Sequence, residues 1–451
     1  MVNLRKENQN KAEQKITMLI ADHLRLEELA EESKFYRRPP KKITATNLFL
    51  GFMHMEQMGV NTLRNWVMEI SKLSGEPVEK QSLNERLNEK AVKLMQLALK
   101  EALNKREEIG AKKSNKEIHK KITKIFNRII LRDSSTQNLP SHLHEIFPGN
   151  YNIYKATAVM RIQACYDYSN HKWLQLDLKS FRDNDQGSAD CISNILEPND
   201  LILQDLGYFS LKWLRQLTEN HFVITRYMNS TNLYTETGEK IELLKFLGNK
   251  RETDLQVLVG KTEKLKMRMV ARKLPKSKAS KRIAKAKKDR HSKANHSKEY
   301  FELLKYEIYL TNVSSEKLAG KEIAKLYGLR WHIEILFKSW KSGSNFKKMF
   351  AKEKMNEHRV KFTIYAMLIQ FVYLMTSIYP VLEKAIKEIT DKPISILKFT
   401  QEMSSILDKI LSLKSVDELL KHKEIYARNI TYEKHTKREN TLNKYMYVKY
   451  L

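Results

Sequence analysis

The spacing of apolar positions changes twice along this chain. Up to about residue 110 they recur at three- and four-residue intervals, which predicts helices over 10–33, 44–58, 61–74 and 79–105. Pro39-Pro40, Gly59 and Gly75-Glu76-Pro77 mark the breaks. From about residue 125 the period falls to two, and 127–133, 157–166 and 172–178 read as three successive strands rich in Ile, Val and aromatics. A helix over 188–196, a strand over 200–205, a helix over 210–220 and a strand over 222–228 are expected next.

The order β-β-β-α-β-α-β predicts an α/β core with a ribonuclease H-like mixed sheet. In that arrangement the first and fourth strands are neighbours. Their ends, Asp133 and Asp205, are then adjacent. Residues 229–316 interrupt the core with short β patterns at 255–259, 267–271 and 306–311. A helix over 327–341 and an apolar helix over 362–382 complete it, and an amphipathic tail runs from 393 to 422. The expected organisation is an all-α region at 1–118, a catalytic core at 119–228 and 317–385, a basic β-rich insertion at 229–316, and a helical C-terminal region at 386–451. Thr363, Gln370, Thr376, Ser377 and Pro380 interrupt 362–382, so it reads as a buried core helix and not a membrane span.

Charge narrows the function. The chain has 82 Lys+Arg against 53 Asp+Glu over 451 residues, a formal net charge of +29, which points to a polyanionic partner, most simply nucleic acid. Residues 261–298 hold 16 Lys+Arg and 2 Asp+Glu, a local excess of 16 − 2 = 14, and 276–298 reads as a cationic helix or a segment that orders on DNA. Within the N-terminal helices, 61–92 has the outline of a helix-turn-helix, with Lys80, Gln81, Asn84 and Arg86 able to meet phosphates and base edges; an ordinary helical hairpin has the same outline. Arg37-Arg38 and Lys41-Lys42 add positive charge beside it. Two cysteines, Cys165 and Cys191, make neither a disulfide framework nor a four-ligand zinc site, and suit a reducing cytoplasm. The start of the chain has no signal-peptide pattern. There is no Walker-type or dinucleotide-type glycine motif, and no metal-ligand spacing among His119, His142, His144, His171 and His221.

The candidate chemistry lies at 327–341. Tyr327, Arg330, Glu334 and Lys341 fall within a helical stripe roughly 60° wide, opposite Leu326, Leu329, Ile333, Leu336, Phe337 and Trp340. A carboxylate flanked by two cations suits a site that takes a metal and a phosphodiester together. Asp133, Asp205 and Glu334 form an all-oxygen trio, and a few carboxylates are enough to place Mg²⁺ or Mn²⁺ ions, two of which stabilise the attacking and leaving oxygens of an in-line displacement.

The spacing Tyr327-x2-Arg330-x3-Glu334-x6-Lys341 resembles the Tyr-Arg-Glu-Lys motif of bacterial DDE transposases of the insertion-sequence-four family. Asp133 in Leu131-Arg132-Asp133-Ser134-Ser135-Thr136 looks like that family's first aspartate, and Asp205-Leu206-Gly207-Tyr208 resembles its Asp-x-Gly-Tyr motif. The resemblance covers roughly 125–385. It implies metal-dependent cut-and-paste transposition: binding to terminal inverted repeats, a homodimeric synaptic complex, strand cleavage with a hairpin intermediate, and strand transfer into target DNA. Asp133, Asp205 and Glu334 would hold two Mg²⁺ (or Mn²⁺) ions, and Tyr327, Arg330 and Lys341 would grip the phosphate backbone. The hairpin step calls for an aromatic residue in the insertion, where Tyr234, Tyr300, Phe301 and Tyr306 are candidates. A bacterial, nucleoid-associated cytoplasmic protein without a membrane partner is implied. The alternatives are a non-catalytic DNA-binding protein derived from a transposase and a nuclease of the same fold.

Overall fold

The computed structural model describes residues 24–36, 38–104, 120–152, 155–288, 297–350, 355–405 and 420–433. Most of the helix expected over 10–33, Arg37, His119, part of the basic run, and residues 406–419 and 434–451 of the C-terminal region lie outside these residues. The N-terminal region is helical, as expected. It begins with α1 (Leu26–Glu32), α2 (Ala45–Gln57) and α3 (Leu63–Ser74). Thr44 and Thr62 cap α2 and α3, each side chain accepting a hydrogen bond from the backbone N–H three residues on. Gly75, at φ +71°, ends α3. The helix expected over 79–105 is two helices, α4 (Lys80–Arg86) and α5 (Glu89–Asn104). Leu87 leaves helical geometry, and Asn88 Oδ1 accepts the Lys90 N–H at 2.9 Å, so a side chain restarts the helix.

After α6 (Lys120–Ile125) the chain builds a single ten-stranded mixed sheet from β1 (Ile129–Leu139), β2 (Pro148–Asn152), β3 (Lys155–Asp167), β4 (Lys172–Ser180), β5 (Leu201–Gln204), β6 (Phe222–Arg226), β7 (Leu233–Tyr234), β8 (Glu252–Val259), β9 (Leu265–Lys273) and β10 (Tyr306–Thr311). The order is β2-β3-β1-β5-β6-β10-β9-β8-β7, with β4 also on β3. Pairing of β5 with β1 and with β6 is parallel; the other pairings are antiparallel. β1 runs six residues beyond Asp133 because its polar half, 134–139, pairs with β3. The helix expected over 188–196 is a series of turns with a short 3-10 segment, Ser193–Ile195. Ser193 Oγ donates to Asp190 O at 2.6 Å, a local bond that competes with helix. The helix expected over 210–220 is α7 (Leu211–Asn220).

The strands of 229–316 do not stand apart. β10 pairs with β6, so β10, β9, β8 and β7 continue the central sheet. This region also carries α8 (Leu243–Leu247), the cationic α9 (Lys276–Lys288) and α10 (Lys298–Leu303). Then follow α11 (Gly320–Tyr327), a 3-10 turn at Gly328–Arg330, α12 (Trp331–Gly343), α13 (Phe346–Met349), α14 (Glu357–Tyr373), a π segment at Leu374–Ile378, α15 (Tyr379–Lys387), α16 (Ile396–Ser405) and α17 (Lys423–Ile430).

Two cores flank the sheet. One gathers Ile129, Leu131, Leu201 and Leu203 with α2, α3, α5, α12 and α14; the other gathers Ile130 and Ile202 with α7, β8 and β9. Glu357–Lys387 is apolar and long enough to cross a membrane, yet it is mostly buried in the first core, as the polar interruptions predicted. Phe362 packs on Trp66 and Phe52, and Arg359 donates to Asn61 Oδ1 at 2.8 Å. The N-terminal helices are therefore part of the same packed body as α14.

Candidate active site

Alternation along two strands decides where the aspartates point. In β1, Ile129 and Leu131 face the core that holds α12 and Ile130 faces the other; in β5, Leu201 and Leu203 share the face of the first pair. Asp133 and Asp205 continue the same odd-numbered series and emerge on the α12 side. The parallel register pairs Arg132 with Gln204, so the two aspartates are the next residues along adjacent strands. Glu334 comes from the first turn of α12, whose Ile333, Leu336, Phe337 and Trp340 are buried against that face.

One guanidinium gathers the three carboxylates. Arg330 Nη1 lies 3.3 Å from Asp133 Oδ2, Nη2 contacts Glu334 Oε1, and Nε lies 4.0 Å from Asp205 Oδ1. Burial opposes the charge on Arg330, but Tyr327 and the three carboxylates outweigh it and hold its pKa above the ordinary value. Asp133 is pushed up to about 7, first by burial and then by Asp205 and Glu334, against the pull of Arg330 and the Ser134 N–H. Among the described residues, no three carboxylate, imidazole or thiol groups are close enough to cradle an ion unaided. Arg330 lies among the three acids.

Tyr327 and Arg330 are set by the 3-10 turn. Three residues make one 3-10 turn, so side chains three apart nearly eclipse, and the guanidinium carbon of Arg330 lies 5.9 Å from the centre of the Tyr327 ring. Tyr327 does not lie on an exposed stripe. It is buried, its hydroxyl donates to Gln204 O at 3.2 Å, and burial raises its pKa to about 12. It thus holds the carbonyl just before Asp205. Lys341 donates to Thr136 O at 2.6 Å, tying α12 to the polar half of β1, and burial lowers its pKa.

The loop after Asp205 is held from the opposite face of the sheet. Asp205 precedes the 3-10 turn Leu206–Tyr208. Asp185 accepts from Arg161 at 2.6 Å and from Gln163 at 2.9 Å, and Gln163 accepts from the Tyr208 hydroxyl. A Cβ on Gly207 would lie 2.9 Å from Asp185 Oδ2, so glycine lets this loop close on Asp185. Arg132, buried behind Asp133, has its guanidinium carbon 4.1 Å from the centre of the Tyr208 ring.

A cavity of about 250 Å³ meets the carboxylate cluster through Arg330 and is lined also by Arg226, Arg272, Lys278, Glu307, Lys325 and Trp331. Of these the sequence pointed to Arg330 and, through the basic run 261–298, to Arg272 and Lys278. Trp331 is 51% exposed although it lies between two motif residues. Arg226, at the end of β6, needed the sheet order to bring it beside β10 and β9.

The profile of the transposase DDE domain family matches residues 124–370, over half of the chain. The chain is similar to the transposase for insertion sequence element IS231F of Bacillus thuringiensis subsp. israelensis, at 26% identity over 339 residues, 70% of each chain. It is similar to the transposase for insertion sequence element IS1151 of Clostridium perfringens, at 24% identity over 397 residues, 83% of this chain and 81% of the relative. The transposase for insertion sequence element IS231C of Bacillus thuringiensis subsp. berliner is 27% identical over 347 residues, 70% of each chain.

Proposed function

This chain belongs to the transposase DDE domain family and is a transposase, an enzyme of DNA cleavage and strand transfer, and we propose that Asp133, Asp205 and Glu334 are its catalytic carboxylates. The convergence of three acids from three separate segments on one guanidinium supports this reading. We read the core, 119–228 with 317–385, as ribonuclease H-like, and the chain as a member of the insertion-sequence-four family with its Tyr-Arg-Glu-Lys motif. Its reaction is then cut-and-paste transposition by a homodimer synapsed on terminal inverted repeats in the bacterial cytoplasm, at the nucleoid. Residues 1–118, with the exposed Lys80, Gln81 and Asn84, make the first DNA contacts.

Family members use divalent metal ions, and the donor set here fits two Mg²⁺ or Mn²⁺ ions. It is all oxygen, two aspartates and a glutamate brought within reach of one guanidinium. Asp133, Asp205 and Glu334 would hold the ions, which when bound stabilise the attacking and leaving oxygens. Arg330 and Lys341 meet the phosphodiester, while Tyr327 fixes the end of β5 and the plane of Arg330. In cleavage, a water oxygen bonds to phosphorus, the P–O3′ bond breaks, and the 3′ oxygen leaves with a proton. That 3′ hydroxyl then attacks a target phosphodiester: its oxygen bonds to the target phosphorus, the target's P–O3′ bond breaks, and the target's 3′ oxygen leaves with the proton.

The test is incubation with Mg²⁺ and end-labelled DNA carrying the gene's own flanks, beside Glu334→Gln. Cuts at a repeat boundary made only by the unaltered chain support the assignment. Equal cutting by both proteins overturns the role of Glu334, and retardation without cutting by either returns a DNA-binding protein.

A further inference from the structure

The strongly charged surface of α9 is larger than the candidate site requires. Lys278, Lys281, Lys285 and Lys288 recur at intervals of three and four, so they form one stripe, and all four are exposed. The stripe rises about 15 Å along the helix. On the inner side Ala279 is buried and Ile283 and Ala286 are half-buried. Arg282 bolts the helix to the sheet, donating to Tyr306 O at 3.2 Å and to Glu307 Oε1 at 3.0 Å. The lysines are thus carried on an anchored helix.

Two features separate this surface from an ordinary solvated one. No Asp or Glu occurs from Lys273 to Lys288, so lysines three and four apart repel one another with no acid on the helix to offset them. The stripe also has a direction. Lys278 lines the cavity shared with Arg226, Arg272 and Arg330, and the other three lead away from it.

We propose that α9 is a backbone track: its lysine stripe binds the phosphates of the DNA strand that leaves the Arg226–Arg272–Arg330 cavity, without reading sequence. The proposal rests on the transposase reading for the identity of the polyanion. Duplex phosphate contacts release counterions, with a slope of log affinity on log salt of roughly 0.9 per contact.

The test replaces Lys278, Lys281, Lys285 and Lys288 with Ala, which keeps the helix, and measures affinity for repeat-bearing and unrelated duplexes across a salt series. A second variant replaces Lys240, Lys250, Lys384 and Lys392, which are exposed elsewhere. The expected result for the stripe variant is a salt slope smaller by about 3.6, equal weakening on both duplexes, and unchanged circular dichroism. An unchanged slope, weakening confined to repeat DNA, or an equal effect of the second variant overturns the proposal. Cleavage by the unaltered chain, scored in parallel, fails separately if the transposase reading is at fault.

Discussion

Arg128 and Asp200 clamp the two aspartate-bearing strands at the end away from the carboxylates. Arg128 Nε donates to Asp200 Oδ1 at 3.0 Å and Nη2 to Oδ2 at 2.5 Å, and Asp200 is fully buried. One residue immediately precedes β1 and the other immediately precedes β5. Their pairing fixes the parallel register five residues before Asp133 and Asp205 come side by side.

Asp200→Ala leaves a largely buried guanidinium without its bidentate partner, and a stability loss of about 3–5 kcal/mol is expected. Chemical denaturation measures it. A loss below about 1 kcal/mol would mean that Glu197, 2.8 Å from Arg128 Nη1, carries the clamp instead.

Asp133 makes the metal-free protein weaker as pH rises. Its folded pKa is about 7 against an ordinary 3.8, so the folded chain binds the proton more tightly and stability falls as pH climbs through that window. Asp133→Asn removes the titration. In chelator its unfolding free energy should gain on that of the unaltered chain from pH 4 to pH 7, by on the order of 2–4 kcal/mol, and hold level above, with its melting temperature rising in step. Parallel melting curves across this range would refute it.

Arg330 occupies the ground that a cation would take among Asp133, Asp205 and Glu334. Arg330→Gln should lower the melting temperature in chelator, because three acids lose their shared partner. Added Mn²⁺ should then raise it by more than in the unaltered chain. Calorimetric titration without DNA should show Mn²⁺ binding at least tenfold tighter in the variant, which is about 1.4 kcal/mol. Equal metal affinity in the two proteins would show that Arg330 does not compete for the site.

Gly207→Ala places a methyl 2.9 Å from a carboxylate pinned by Arg161 and Gln163. Overpacking of this kind costs about 1–3 kcal/mol. Because Asp205 begins the same turn, cleavage of repeat DNA should fall more than tenfold while duplex affinity stays within about twofold. Adding Asp185→Ala should recover part of the melting temperature; no recovery would move the strain elsewhere.

The parts of the fold that follow a local period were legible. The apolar runs 129–131 and 201–203 carried the strand assignments, and the fixed spacing of Tyr327, Arg330, Glu334 and Lys341 led to the candidate site. Elements set by distant pairing were not. Residues 134–138 are polar and lie beyond the expected strand, yet β3 draws them into it. Residues 188–196 have helical spacing at Ala189 and Ile192, but Ser193 and its neighbours satisfy the backbone through turns. The 3-10 turn at Gly328–Arg330 leaves no mark in a hydrophobic pattern, and it is what stacks Arg330 on Tyr327 and buries the phenol.

The hydrogen bonding that runs unbroken from β6 into β10 makes residues 229–316 impossible to excise as a cassette. Splicing 228 to 317 would bare the edge of β6, whose Val223, Ile224 and Thr225 are buried, and offer it to the same edge of another molecule. A shortened chain of that kind aggregates before its chemistry is ever tried. Replacement of this stretch by a relative's therefore has to carry the pairing residues of β10 along with the tip it is meant to exchange.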